Sequence, residues 1–221
     1  MIRTLLAVAV CFAFAQDKKD DGEALFTKAE EKATKGKTFH FKASLEFKEG
    51  DKESKVAVEG WFKEGNKFKV AYSGDMGGEH TDFTAISDGK RVKGREKTAD
   101  APKDLAAELR KLCASGTPLF AVMFLASDQF EGTKDMVTIS KIKLGKDDKV
   151  GDRAVKVITY AAGIKDEKEE TTGTIWIDAT TSALVKRELK GPKGEHLVET
   201  YETWKVDEEL KDEDFALPKE K

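Results

Sequence analysis

Residues 38–48, TFHFKASLEFK, alternate between apolar and polar positions. Phe39, Phe41, Ala43, Leu45 and Phe47 form the apolar set, the pattern of a strand with one buried face. The stretch EGWFKEGNKFKVAYSG at 59–74 carries the same period twice, on either side of Gly65 and Asn66. With 64–66 as a three-residue loop, Phe62 falls opposite Phe68, Gly60 opposite Val70 and Val58 opposite Tyr72. Side chains alternate along a strand, so these six share one face, while Lys63, Lys67 and Lys69 share the other with Trp61. TDFTAIS and KRVKG flank Asp88-Gly89, a two-residue turn signal. MVTISKIKLG, RAVKVITYA, TTGTIWIDA, SALVKREL and EHLVETYETWKV read as further strands, separated by charged turns such as KDEKEE. Periodicity predicts about ten strands in all. Short loops join them, so an antiparallel meander is expected over βαβ crossovers.

A helical period appears in two places before and between the strands. In DDGEALFTKAEEKATKG, Leu25, Phe26, Ala29 and Ala33 form one stripe, Asp20 with Glu23 makes a capping box, and Gly36 supplies the stop. PKDLAAELRKLCASG places Leu105, Leu109 and Leu112 on one face and ends at Gly116. TPLFAVMFLAS follows, with Thr117 as N-cap and Pro118 at the first helical position. Residues 119–126 are all apolar, so this helix must be surrounded, and it is expected against the concave side of the sheet. The fold class is therefore α+β. The acidic end, DEELKDEDFALP, is expected to dock through Phe215 and Leu217.

The N-terminus sets the compartment. Arg3, an apolar run over 5–14 and Ala13-Phe14-Ala15 make a secretory signal over 1–15, too short to span a bilayer. The remaining 16–221 is read as a single domain, exported and soluble after cleavage. Cys11 leaves with the signal, so Cys113 stands alone and is expected to be a buried packing thiol at helical spacing from Leu109. A net charge of −3 with signs interspersed, and no basic block, excludes nucleic acid as a partner.

The residues of chemistry are scattered. His40, His80 and His196 lie far apart, none with a ligand at metal spacing, and read as solvated side chains on polar strand faces. There is no P-loop and no G-x-S-x-G elbow. SGDMGG at 73–78 reads as a flexible loop. The carboxylates fall in runs such as 166–170 and 207–214, usually solvated faces, and Asp147-Asp148 has no calcium-loop motif around it. No catalytic residue, metal site or cofactor is expected.

The order of the segments is more informative than any one of them. GWFKEGNKFKVAYSG, FTAISDGKRV with its Ser-Asp-Gly-Lys turn, GTPLFAVMFLA, TIWIDATTSALVKREL and the closing DFALP resemble the periplasmic carrier and receptor family for lipoproteins (LolA/LolB-like), including its outer-membrane lipoprotein-sorting branch. That resemblance implies an incomplete antiparallel β-barrel whose helices cover the concave face over an apolar cavity for acyl chains. By position, Phe62, Phe68, Val70 and Tyr72 would line the sheet side, and Leu119, Phe120, Met123 and Phe124 the helical side. It implies a monomeric, non-enzymatic periplasmic protein whose partners are lipid or lipoprotein acyl chains and an envelope membrane protein or lipoprotein. The known carriers have Arg-Pro in the first hairpin, tied to lid closure and cargo handling; this chain has Glu64-Gly65. The departure motivates a second expectation, an envelope sensor or interaction module on the same fold.

Overall fold

The computed structural model describes residues 18–76, 78–95, 97–119, 122, 137–164 and 169–219. The signal expected at 1–15 lies outside these residues, as do Phe120, Met123 and Phe124.

The first six strands form a meander: β1 (Thr38–Glu49), β2 (Lys52–Lys63), β3 (Lys67–Met76), β4 (Glu79–Asp88), β5 (Arg91–Lys93) and β6 (Thr98–Asp100). Six more follow: β7 (Val137–Leu144), β8 (Asp148–Val150), β9 (Arg153–Ile164), β10 (Glu170–Asp178), β11 (Leu184–Lys190) and β12 (His196–Val206). β12 returns to pair with β1 at the centre, giving the order β6-β5-β4-β3-β2-β1-β12-β11-β10-β9-β7, with β8 alongside β9. Every pairing is antiparallel and the order does not close on itself. The twelve strands exceed the expected ten because β6 and β8 are three residues long, too short for a two-residue period to show.

The first hairpin has the expected register. Phe62 pairs with Phe68, Gly60 with Val70 and Val58 with Tyr72. Its loop turns through Gly65 and Asn66, both at positive φ (81° and 62°). Residues 73–76, expected in a loop, instead extend β3 and pair with β4. Asp88 accepts the backbone N–H groups of Lys90 and Arg91, each at 2.8 Å, which lowers its pKa and fixes the next turn.

Two helices among the described residues cross one face of the sheet: α1 (Lys18–Lys35) and α2 (Leu105–Ala114). α1 buries Phe26, Ala29 and Ala33, as its stripe predicts. It includes Lys18 and Lys19, so Asp20 lies within it and does not cap it. α2 buries Leu105, Leu109 and Cys113, and burial pushes the Cys113 thiol pKa up. Leu119 and Val122 are helical and fully buried in the same core. Arg110 of α2 binds the two helices to the sheet: its guanidinium donates to the carbonyls of Ala33, of Gly36 (2.8 Å) and of Thr38 (3.1 Å). It thereby satisfies acceptors that the end of α1 leaves open.

The opposite face carries the C-terminal strap. Thr38 Oγ1 donates to Glu208 O (2.6 Å), Lys63 Nζ to Leu210 O (2.7 Å), and Asp212 bridges Lys63 and Lys67 at 2.7 Å each. A 3-10 helix, Asp212–Phe215, then seats Phe215 with no exposure, while Leu217 is half-buried.

Candidate functional site

The inward positions of β1–β4 are continuous across the strands. Phe39, Phe41, Phe62, Phe68 and Val70 lie under the helices at 0–1% exposure. Their rings stack in a row: Phe39 to Phe62 at 6.0 Å and Phe62 to Phe68 at 6.2 Å between centroids. Leu119 closes on the same core with no exposure. Further along the same strands burial is slightly less complete, which makes this the more open half of the face. Leu45, Val56, Tyr72, Phe83, Leu189 and Leu197 hold 4–9% exposure, and Phe47 more. Tyr72 and Phe83 meet at 5.0 Å. Of the eight cavity residues expected from the family resemblance, Phe62, Phe68, Val70 and Leu119 lie in the half with 0–1% exposure, and Tyr72, at 8%, in the slightly more open half. Phe120, Met123 and Phe124 fall outside the described residues.

Between the halves lies a polar cluster. Arg187 of β11 and Glu199 of β12 are paired in register and fully buried, 3.0 Å apart. Arg187 also donates to the carbonyls of Cys113 (2.9 Å), Ser115 (2.7 Å) and Thr117. Glu199 accepts from Leu119 N–H and from the Tyr201 hydroxyl, each at 2.6 Å, and the Tyr160 hydroxyl donates to Gly116 O at 2.8 Å. The sheet thus holds the turn after α2 by its backbone. Burial is the largest influence on the Arg187 cation and disfavours it, but Glu199 with Tyr201, Tyr160 and Cys113 together outweighs it and keeps the pKa above the ordinary value. Burial, then Glu199, pushes the Tyr201 phenol well up.

The sequence held a signal for this pair. Arg187 and Leu189 alternate inward on β11, and Leu197, Glu199 and Tyr201 on β12. Opposite charges at inward positions of neighbouring strands mark a buried pair, and periodicity alone treats them as breaks in an apolar stripe.

The remaining polar groups are engaged at the surface. A cleft of about 460 Å³ between α1, α2 and the β2–β3 turn is lined by both signs of charge, including Glu30, Lys63, Glu64 and Arg110. Burial raises the Glu30 pKa against the pull of Lys111. The histidines are not simply solvated: His40 joins Glu208 (2.8 Å) to Glu59 (2.9 Å), His80 meets Asp75 (3.0 Å), and His196 meets Glu188 (3.0 Å). Among the described residues no cluster of His, Cys, Asp or Glu is arranged to hold a metal ion, and no helix is long and apolar enough to cross a membrane.

No protein-family model and no curated protein sequence matches the chain. Solved structures similar to it include a LolA superfamily protein from Nitrosomonas europaea, at 11% identity over 89% of this chain and 97% of that one, with a TM-score of 0.35. A domain described as an outer membrane lipoprotein-sorting protein, from Vibrio parahaemolyticus, aligns at 11% identity over 89% and 97%, with a TM-score of 0.38. MucB aligns at 10% identity over 90% of this chain, with a TM-score of 0.48; the chain spans 63% of the MucB length. These neighbours include proteins of the family that the order of segments resembles; at 10–11% identity and TM-scores below 0.5 they assign this chain neither a family nor a role.

Proposed function

We propose that this chain is an exported, non-enzymatic binding protein that takes up acyl chains of lipid or lipoprotein on the concave face of its sheet. The observation that supports it is the change in exposure along that face. The Tyr72–Phe83 end, here called the open end, is apolar, built from adjacent strands and keeps 8–9% exposure, whereas the Phe62–Phe68 end has 0–1%. Hydrocarbon laid on the open end displaces water from apolar surface, which contributes roughly 25 cal/mol per Å². Export rests on the N-terminal signal pattern. Saturable uptake of a fluorescent fatty-acid probe by the mature protein, reduced by Phe83→Asp with the fold intact by circular dichroism, is the expected result. Uptake that never saturates, or is untouched by Phe83→Asp, removes the proposal.

A second reading follows from the sealed half. Phe62, Phe68, Val70 and Leu119 leave no room for a guest beside them, as expected for an envelope sensor or interaction module that works through its outer surface. On that reading the probe is not taken up, and a protein partner binds with the concave face unchanged.

A further inference from the structure

Lys63 and Lys67 are direct cross-strand partners in the first hairpin, and both point to the face of the sheet away from the helices. Like charges directly opposite each other destabilise a strand pair. Here an anion relieves them: Asp212 of the C-terminal strap lies 2.7 Å from each ammonium. A third lysine, Lys69, follows two residues on, its ammonium 5.2 Å from the Trp61 ring centroid. Beside this charged patch is an apolar one. Ile86 points outward on β4, between the inward Ala85 and Ser87, yet it is only 7% exposed. Its partner on β3 is Lys69. The 3-10 helix of the strap packs on β3 and β4 and buries Phe215 completely. Ile86 and Phe215 both stand outside the main core cluster.

The strap is lightly fastened. Of its described residues, 207–219, Phe215 alone is buried. Its charges sit in water, where ion pairs contribute little. Segments held in this way are the ones that open locally while the rest of a fold stays closed.

We propose that the Lys63–Lys67 pair and the Ile86 surface form a docking seat for an acidic, aromatic-bearing segment of a partner protein, and that the strap fills this seat in the partner's absence. The strap itself shows which chemistry fits: a carboxylate between two ammonium groups and, three residues on, a ring buried against β3 and β4. An anionic lipid surface would satisfy the lysines but offers no ring for the apolar part. The seat lies on the other face of the sheet from the acyl-chain reading and does not depend on it.

The probe is a fluorescent peptide with the sequence of 207–217. It is added to the full mature chain and to the same chain carrying Asp212→Asn and Phe215→Ala, which release the strap. The released chain is expected to keep its circular dichroism spectrum and to bind the peptide saturably. The wild-type chain is expected to bind about tenfold more weakly, because its own strap leaves only a fraction of the seats open. Lys63→Glu with Lys67→Glu in the released chain, or Phe215→Ala in the peptide, is expected to weaken binding by about tenfold or more. Equal affinity of the two chains, indifference to either change, or no saturable binding overturns the seat. Binding to phosphatidylglycerol vesicles without binding to the peptide also overturns it, since the patch would then be a lipid surface. Should the released chain unfold, the wild-type chain decides: excess peptide that lowers amide protection in 210–215 supports exchange at the seat, and unchanged protection overturns it.

Discussion

Phe68 and Phe83 sit on the same face, one strand apart, and differ in what surrounds them. Phe68 has no exposure and touches other rings; Phe83 is 9% exposed at the open end. Phe68→Ala is expected to lower unfolding stability by about 3–5 kcal/mol, read from the urea midpoint, with Phe83→Ala costing distinctly less and acting on uptake instead. Equal losses from the two would contradict a sealed and an open half. The Arg187–Glu199 pair gives a second residue-level expectation. Glu199→Leu leaves a buried guanidinium uncompensated and is expected to cost about 3–5 kcal/mol, whereas the double change Arg187→Met with Glu199→Leu should cost less than the sum of the singles. Strict additivity in that cycle would mean the two charges do not interact as their 3.0 Å separation requires.

At the level of elements, two glycines let neighbouring strands carry large rings. A Cβ on Gly173 of β10 would run into the Tyr160 ring, and one on Gly60 of β2 into Phe41. Gly173→Ala is therefore expected to cost about 1–3 kcal/mol, with Gly163→Ala, on the paired strand β9 opposite Glu170 and meeting only Thr138 Oγ1 at 3.1 Å, as the milder control. The C-terminal strap responds to acid. Hydrogen bonds from Lys63, then Lys67, hold the exposed Asp212 carboxyl at about 2, below its ordinary 3.8. A depressed folded pKa contributes stability that is present above 3.8 and lost as pH falls through 2. Amide protection factors in 210–215, taken relative to the intrinsic exchange rate at each pH, should fall between pH 4 and pH 2 and be low throughout in Asp212→Asn; a strap whose protection ignores both acid and the substitution is held by Phe215 alone. These elements also mark what the chain made legible. The β2–β3 register was readable because a three-residue loop between two alternating stretches leaves one pairing that keeps the phenylalanines together. The short β6 and β8 were not, since three residues carry no period, and Asp20 misled because the capping pattern recurs inside α1.

On the scale of the whole molecule, the N-terminal meander β1–β6 and the C-terminal run β7–β12 meet at β1 and β12, and that junction gives one apolar face wide enough to have two environments. Alternation identified the face from the sequence. Which end of it is sealed depends on where α1 and α2 cross and on the hold that Arg110 and Arg187 take on backbone carbonyls, none of which has a sequence period. For that reason the lining residues taken from the family resemblance mix both halves, and Tyr72 alone among the described ones falls in the open half. The measurement that bears most directly on this is an NMR titration of the mature protein with a soluble acyl ester. Saturable shifts confined to Val56, Tyr72, Phe83, Leu189 and Leu197, with Phe62 and Phe68 unmoved, are the predicted result; shifts that appear first at Phe62 and Phe68, or none that saturate, would contradict it.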